Sequence, residues 1–224
     1  MADDILEKGA IMQRDKETYA IAPHIPGGII TDFNLLRRMA DVADKYGAKA
    51  VKLTSAQRFA LVGLKQEDLD PAWQDLGLIP GAAIGLCVRS IKICPGTSFC
   101  RIAQQDAVGL GLHLDEKYHG MPLPFKFKIG VSGCPNNCSE SVIKDLGLVG
   151  AAKGWRVLAG GLGSGLKPRL ADLIATDLTD AAALDLSAKV LDWYKARNQK
   201  KRLGKIIDDI GLAAFKAELG LPAE

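Results

Sequence analysis

The sequence predicts an α+β protein, in which a ferredoxin-like N-terminal unit is followed by an α/β domain. Strand and helix patterns alternate along the chain, and a turn-rich stretch at residues 77–81 divides it into two parts. The second part carries two cysteine pairs, each where a predicted strand turns into a helix. We therefore expect one unit over residues 1–78 and another over residues 79–224.

The first part follows the order of a ferredoxin-like unit. Its predicted elements are, in order, a short leading helix, a strand at 17–22, a helix capped by Thr31 or Asp32 and closed by Gly47, strands at 50–53 and 59–64, and a helix at 67–76. Strand, helix, strand, strand and helix make up most of that unit.

The second part has the same mixed character. Its predicted elements are, in order, a strand at 83–93, a helix from Ser98 towards Leu112, a strand at 125–131, a helix after Cys138, a strand at 155–158 and two final helices. Both cysteine pairs therefore precede a helix N-terminus, where backbone N–H groups stabilise negative charge.

The composition limits the classes of function. The 224 residues are 48% hydrophobic and 25% charged with a net charge of +3, which is typical of a soluble folded protein and too weakly basic to indicate nucleic-acid binding. No run of about 18 apolar residues predicts a membrane span, and the acidic start lacks the apolar core of a secretory signal. We expect a cytoplasmic protein.

Four of the five cysteines form two close pairs. Cys94 and Cys100 enclose five residues, and Cys134 and Cys138 enclose three. Four thiols so arranged suit a tetrahedral metal ion or an iron–sulfur cluster, although structural zinc usually has a pair with about two intervening residues. A proline follows the first cysteine of each pair and stiffens the loop. Buried free thiols are the alternative, and Cys87 is expected to be one.

Three further features have both a structural and a functional interpretation. Lys126 and Lys128 lie two apart on a predicted strand, so they point the same way, towards solvent or towards an anion. The glycine loop at residues 160–165 offers backbone N–H groups but lacks the context of a dinucleotide site. The cations of residues 195–202 predict a solvated helix end or a dock for an acidic donor protein.

These motifs resemble the nitrite and sulfite reductases that couple siroheme to a 4Fe-4S cluster. The resemblance runs from about Tyr19 to about Arg169. The matching segments are the Pro-Gly-Gly segment at 25–30, the strand at 52–58, residues 88–94, 123–128 and 132–138, and the glycine loop ahead of Arg169. The similarity is closest to small assimilatory-type sulfite reductases and to the siroheme region of the pyridine-nucleotide nitrite reductases.

The resemblance implies a role for each matching residue. Cys94, Cys100, Cys134 and Cys138 would hold the cluster, with Cys138 also bridging it to the siroheme iron. The cations that would line the distal face, where the anion binds, are Arg89, Lys126 and Lys128. The residues implied to contact the cofactor are Arg58, Thr54, Gln57, Arg101, Asn136, Gly160, Gly161, Gly163 and Arg169.

Two positions depart from the family pattern. His24 stands where many members have an anion-binding Arg, and Ala56 stands where the sulfite-reductase branch has an Arg. The Arg at position 58 instead matches one in the nitrite-reductase branch. Because His need not be charged at pH 7 whereas Arg always is, these positions bear directly on the substrate pocket. We include His24 among the expected catalytic residues.

The implied activity is the six-electron reduction of sulfite to sulfide, with reduction of nitrite to ammonia as the alternative. The cofactors would deliver single electrons, and the lysines would neutralise the anion and pass protons. Electrons are expected from a ferredoxin-like or other donor protein. An iron–sulfur electron carrier without siroheme and a structural zinc module are rival classes. Larger family members carry two copies of this unit, so a single copy predicts either a homodimer or a more open siroheme.

Overall fold

The computed structural model of the chain describes residues 3–222 and divides after Gly85 into two compact units, Met1–Gly85 and Leu86–Glu224. The predicted division after residue 78 lies in the turn-rich segment ahead of this point and stays a prediction. Within residues 3–222, none of the helices combines the length and the apolar character that crossing a bilayer requires.

The first unit is a four-stranded antiparallel sheet with two helices. Its strands are β1 (Ile11–Met12), β2 (Tyr19–Ile21), β3 (Ala50–Leu53) and β4 (Phe59–Leu64), in the spatial order β1-β2-β4-β3. Its helices are α1 (Asn34–Lys45) and α2 (Leu69–Leu76), and short 3-10 helices lie at Leu6–Lys8, Pro26–Gly28 and Gln66–Asp68. The order of elements confirms the predicted ferredoxin-like unit.

The two helices pack on the sheet through apolar side chains. Met39 and Val42 of α1 are buried in the same cluster as Leu61 and Leu64 of β4. The side chain of Leu36, also on α1, is 41% exposed and lies outside this cluster. α1 begins at Asn34 with Phe33 at its N-cap, not Thr31 or Asp32 as predicted, although Asp32 Oδ1 accepts the N–H of Asn34 at 3.0 Å.

The second unit is a five-stranded mixed sheet with helices. Its strands are β5 (Lys92–Ile93), β6 (Ile129–Ser132), β7 (Leu146–Ala151), β8 (Gly154–Ala159) and β9 (Asp172–Leu178), which are neighbours in chain order. The first three are parallel and the last three are antiparallel. Its helices are α3 (Gly96–Phe99), α4 (Ala107–Tyr118), α5 (Asp180–Arg197), α6 (Leu203–Ile210) and α7 (Leu212–Glu218), and a 3-10 helix lies at Ser141–Ile143.

The core of the second unit lies between the sheet and these helices. Trp155 on β8, Tyr194 on α5, Phe215 on α7 and Phe127 before β6 are among its largest fully buried side chains. Aromatic side chains of this size dominate the apolar area that a core removes from water. They anchor the C-terminal helices to the same sheet that carries the cysteine segments.

Several predicted elements of the second unit are wrong in extent. Only the last two residues of the strand predicted at 83–93 form β5; Cys87 makes an isolated bridge to Pro122, which has no N–H to extend a ladder. The helix predicted from Ser98 is two helices, because Asp106 caps α4 by accepting the N–H of Gly109 at 3.0 Å.

The end of the chain also differs from the prediction. The helix expected after Cys138 is the single 3-10 turn Ser141–Ile143, and β9 was not predicted. Three helices follow β9 rather than two, because Gly211 adopts a φ of +87° between α6 and α7. Residues with a side chain rarely adopt this backbone conformation, so the glycine separates the two helices.

Candidate functional site

The two segments that carry the cysteine pairs are neighbours in the second unit. β5 runs parallel to β6 with Ile93 opposite Val131, and the N–H of Cys94 donates to the Val131 carbonyl at 3.0 Å. Parallel strands bring their carboxyl ends to one edge of a sheet, which is where ligands bind in such sheets. Cys94 and Cys134 therefore leave the sheet at the same edge.

The sulfur of Cys94 accepts two backbone hydrogen bonds. The N–H of Gly133 lies 3.0 Å from Cys94 Sγ, and the N–H of Gly96 lies 3.4 Å from it. N–H donors on a sulfur stabilise the thiolate, which is the form that binds metals. Gly133 must be a glycine here, since a Cβ would lie 2.8 Å from the Gln105 carbonyl oxygen and 3.0 Å from the Gly96 Cα.

A buried serine network holds the second cysteine loop. Ser132 Oγ accepts the N–H of Ser139 at 3.1 Å and lies 2.9 Å from Ser141 Oγ. Ser139 Oγ itself is buried and has no hydrogen-bond partner in the part of the chain that the structure describes. Sequence reasoning missed this network, although three serines flanking the loop were the signal that could have found it.

The four paired cysteines differ in exposure. Cys94 and Cys134 are buried, Cys100 is half-buried and Cys138 is exposed. Among residues 3–222, no three His, Cys, Asp or Glu side chains converge on a position that one metal ion could occupy. A zinc ion bonds every ligand at about 2.0–2.3 Å, whereas a four-iron cluster binds each thiolate at a different iron. The donor set, the N–H groups on the Cys94 sulfur and the orphaned Ser139 hydroxyl fit a cluster better than a single ion.

The predicted cations lie beside the cysteine segments in the chain. The strand predicted at 125–131 begins only at Ile129, but its alternation is present: Phe127 and Ile129 are fully buried and Lys126 and Lys128 are half-buried. The N–H of Arg89 donates to the Phe127 carbonyl at 2.9 Å. The structure therefore brings the backbone of all three predicted cations together.

The electrostatics of these cations differ from those of ordinary surface residues. Burial lowers the pKa of Lys128, and the nearby charges of Arg202 and Lys144 lower it further. Burial also lowers the pKa of Arg89, although a guanidinium stays protonated at physiological pH. A lysine with a lowered pKa releases a proton more readily, which suits a proton donor at neutral pH.

A buried ion pair adjoins Lys128. The Arg202 guanidinium donates to Asp145 through Nε at 2.7 Å and Nη2 at 2.6 Å. Asp145 also accepts the N–H of Lys128 at 2.8 Å. Sequence reasoning missed both residues, because Arg202 ends a run of cations that predicts a solvated helix end and nothing in the run marks one member as buried.

The implied siroheme residues of the first unit meet at one turn. The N–H of Arg58 donates to Thr54 Oγ1 at 3.1 Å, and Gln57 has a φ of +58° within this turn. Gly28 packs against it, since a Cβ there would lie 2.8 Å from the Gln57 carbonyl oxygen. One Arg58 nitrogen donates to the Ala82 carbonyl at 3.1 Å. The Pro-Gly-Gly segment and the 52–58 segment are thus adjacent within this unit.

The glycine loop differs from the prediction in what its N–H groups do. The N–H of Gly160 donates to the Asp145 carbonyl and that of Gly161 to the Lys144 carbonyl, each at 2.8 Å. These two N–H groups donate to backbone carbonyls, and the implied contact of the loop with a cofactor stays a prediction. A Cβ on Gly163 would lie 2.5 Å from Ile143 Cδ1, so this glycine permits close packing.

Arg169 clamps the same loop. Its Nε donates to Asp208 at 2.8 Å, one terminal nitrogen donates to Asp172 at 2.5 Å, and the other donates to the carbonyls of Gly160 and Leu170. These bonds engage all three guanidinium nitrogens with the protein. The geometry gives Arg169 a structural role, and the implied cofactor contact stays a prediction.

The remaining predicted residues are more open. Arg101 and Asn136 are exposed, each next to a cysteine segment. His24 in the first unit is half-buried, and its backbone N–H donates to the Ile79 carbonyl at 2.9 Å. Their roles towards a ligand stay predictions.

Two sequence profiles match the chain. One, described as the nitrite and sulphite reductase 4Fe-4S domain, covers residues 84–224, and the other, the nitrite/sulfite reductase ferredoxin-like half domain, covers residues 11–79. The chain belongs to the nitrite and sulfite reductase family. It is therefore an oxidoreductase with an iron–sulfur cluster domain, as the resemblance implied.

Individual relatives agree with this assignment. The chain is 43% identical over 210 residues to the assimilatory-type sulfite reductase of Nitratidesulfovibrio vulgaris. The match covers 93% of this chain and 95% of that protein. It is 40% identical over 214 residues to the nitrite reductase [NAD(P)H] of Bacillus subtilis, covering 95% of this chain and 26% of that protein.

Solved structures share the fold. The crystal structure of dissimilatory sulfite reductase I superimposes with a TM-score of 0.83 at 16% identity, covering 92% of this chain and 70% of the other. The NirA protein of Mycobacterium tuberculosis superimposes with a TM-score of 0.74 at 19% identity, covering 90% of this chain and 39% of the other. At these identities the likeness concerns the fold.

Proposed function

We propose that this protein reduces sulfite to sulfide with six electrons from a separate donor protein. The observation that carries the proposal is its 43% identity to an assimilatory-type sulfite reductase along 95% of that protein's length. The matched nitrite reductase of Bacillus subtilis is far longer, and the match spans only 26% of it. Of these two relatives, the sulfite reductase has the higher identity to this chain, 43% against 40%.

The cysteine segments would hold the iron–sulfur cluster. The four ligands would be Cys94, Cys100, Cys134 and Cys138. Two N–H groups on the Cys94 sulfur would stabilise the charge of its thiolate. When bound, the cluster and siroheme supply electrons to the anion one at a time. Siroheme carries several carboxylates, and Arg58, with its donors in the first unit, is the cation we assign to them.

The half-buried cations would bind the anion and supply protons. Each oxygen that leaves the substrate needs protons, so electrons alone cannot complete the reduction. Lys126 and Lys128 share one face of their segment, and the Arg89 backbone adjoins that segment. Arg89 would neutralise and orient the anion as a permanent charge, whereas Lys128, with its lowered pKa, would release protons.

An anaerobic assay with a reduced dye tests the substrate. The purified holoenzyme receives sulfite or nitrite, and dye oxidation is followed together with sulfide and ammonia. We expect the larger kcat/KM with sulfite, and sulfide as the product. Oxidation of the dye with nitrite alone would replace the proposal with its alternative.

Nitrite reduction is the second candidate, on the residues at positions 56 and 58. Arg58 matches the nitrite-reductase branch and Ala56 stands where the sulfite-reductase branch has an Arg. The variant Ala56→Arg tests this point, because an added cation at a sulfite-type position should raise kcat/KM for sulfite relative to nitrite. An unchanged ratio would show that position 56 does not set the preference.

An electron carrier without siroheme is the remaining alternative. A carrier has no use for the cations Arg58, Arg89, Lys126 and Lys128, so their alanine variants should leave its redox behaviour unchanged. A reductase should lose turnover in the same variants.

The donor protein and the oligomeric state belong to the proposal as well. A monomeric mass in solution with full activity would exclude a homodimer that completes the site.

A further inference from the structure

The Asp145–Arg202 pair lies in the core of the second unit. Asp145 is fully buried and Arg202 is 6% exposed, and two hydrogen bonds join them. A buried pair of this kind adds little net stability over apolar residues of the same size. The contacts around the pair indicate what else it does.

The carboxylate of Asp145 fixes the backbone of Lys128. Its Oδ2 accepts the Lys128 N–H at 2.8 Å, while the Lys128 carbonyl accepts the N–H of Leu146 at 3.2 Å. Both backbone polar groups of Lys128 are therefore bonded to two consecutive residues. The two bonds together hold the Lys128 backbone in one register beside the start of β7.

The backbone next to Arg202 is fixed from the opposite direction. Tyr194 Oη donates to the carbonyl of Lys201, the residue before Arg202, at 2.6 Å. The ring of Tyr194 packs on that of Phe127, the residue before Lys128, with centroids 5.2 Å apart. The contacts form a closed circuit from Phe127–Lys128 through the ion pair and Tyr194 back to Phe127.

We propose that Asp145 and Arg202 form a positioning pair, which holds Lys128 at the anion site and sets how readily this lysine releases a proton. The inference rests on the proposed function, in which Lys128 passes protons to the bound anion. Arg202 acts through Lys128 and is a positioning residue, not a catalytic one.

The charges around Lys128 support this role. Burial lowers its pKa most, Arg202 and Lys144 lower it further, Asp145 opposes them, and Lys126 adds a smaller lowering. An ordinary lysine, with a pKa of about 10.4, is a weak acid at neutral pH. Moving the pKa towards the working pH makes the ammonium a better donor.

Two substitutions move the Lys128 pKa in opposite directions if the pair acts electrostatically. Arg202→Gln removes a neighbouring positive charge and should raise the pKa. Asp145→Asn removes the opposing negative charge and should lower it further. A pair that merely supports the fold would loosen the site in both variants, let in water and raise the pKa in both.

The measurement is the pH dependence of acetylation at Lys128 in the holoenzyme. Acetic anhydride reacts with the neutral amine, and mass spectrometry quantifies the Lys128 and Lys126 peptides at each pH. We expect the Lys128 midpoint to rise in Arg202→Gln and to fall in Asp145→Asn. Lys201→Met is the matched control, since Lys201 is adjacent to Arg202 in sequence but forms an exposed ion pair with Asp209. This substitution should leave the Lys128 midpoint unchanged.

A double variant that carries no charge at either position controls for misfolding. Asp145→Asn with Arg202→Gln keeps groups that can hydrogen-bond and leaves no unpaired buried charge. Because Arg202 lowers the pKa of Lys128 and Asp145 raises it, the midpoint of this variant should lie between those of the two single variants. A midpoint outside that interval, with a thermal unfolding curve like that of the wild type, would overturn the inference.

Turnover separates this inference from the proposed function. The pH at which kcat for sulfite is half-maximal should follow the Lys128 midpoint, while KM changes less. Acetylation does not depend on activity, so a wild type that reduces neither sulfite nor nitrite would defeat the proposed function alone. Shifts of the Lys128 acetylation midpoint in the same direction in both single variants would defeat the positioning role alone.

Discussion

The sulfur of Cys94 accepts the N–H of Gly133 at 3.0 Å, across 39 positions of sequence. This bond joins the first cysteine segment to the second within the protein itself. Gly133 precedes Cys134, so the contact links the backbone beside one proposed ligand of the second pair to a proposed ligand of the first. The protein thus holds part of the proposed cluster site in place through its own hydrogen bonds, as preorganised ligands require.

Replacing Cys94 tests the ligand set. Cys94→Ser should lose the iron–sulfur absorbance, because clusters of this type are held by thiolates. Cys87→Ser is the matched control, since this cysteine lies in the same unit outside the two pairs. Iron and acid-labile sulfide per chain are measured for both. Full iron content in Cys94→Ser, or an equal loss in Cys87→Ser, would contradict the assignment.

The serine network should matter for stability. Ser132→Ala leaves the buried N–H of Ser139 without its acceptor and should cost about 1–3 kcal/mol. In the control Ser187→Ala, the lost bond is from a hydroxyl to the Ala183 carbonyl within α5, and the cost should be about 1 kcal/mol. Urea unfolding gives both values, and equal costs would argue against a special role for Ser132.

The two lysines should affect turnover without affecting cofactor binding. Lys126→Ala and Lys128→Ala should each lower kcat, by roughly a hundredfold for a residue that transfers protons. The visible spectrum should not change. Lys153→Ala, at the exposed turn between β7 and β8, is the control for loss of one positive charge. Loss of siroheme in the lysine variants would assign them to the cofactor carboxylates instead.

Arg169 should contribute to stability. Arg169→Met removes bonds to Asp172, Asp208 and the Gly160 carbonyl, and should cost about 1–3 kcal/mol in urea unfolding. Lys205→Met, which loses only an exposed 3.5 Å pair with Asp208, should change stability by less than about 1 kcal/mol. A folded, equally stable Arg169→Met that binds no siroheme would contradict the structural role and favour the cofactor contact that the resemblance implies.

The first unit should lose stability in acid through Asp75. Hydrogen bonds from Lys45 and Tyr46 lower the pKa of Asp75 below its ordinary 3.8. A lowered carboxyl pKa contributes stability above that ordinary value and loses it as the pH falls through the lowered one. The difference in urea midpoint between wild type and Asp75→Asn should therefore be largest near neutral pH and shrink below about pH 4. A constant difference would contradict the linkage.

Local patterns were enough to predict part of the molecule. The bounds of β3 and β4 match the strands predicted at 50–53 and 59–64, and the cysteine pairs stand out by spacing alone. The alternation of Lys126 and Lys128 with buried Phe127 also survives, although no regular strand forms there. These features depend on residues close in sequence, which is why the sequence shows them.

The rest depends on distant partners. Arg202 is buried because Asp145, 57 positions away, accepts two of its hydrogen bonds. Gly160 and Gly161 donate to carbonyls that arrive from the segment before β7, so their N–H groups are occupied for a reason the glycine loop does not contain. Short pieces such as β5 form only because β6 lies beside them.

The most direct test of the central claim is the electron stoichiometry of anaerobic sulfite reduction. The holoenzyme, with its siroheme and iron quantified, consumes a known amount of reduced one-electron dye while sulfide is measured. The account predicts six dye equivalents oxidised for each sulfide formed, by a protein that shows siroheme absorbance. A brown protein with cluster absorbance alone, which oxidises the dye with neither sulfite nor nitrite, would contradict it.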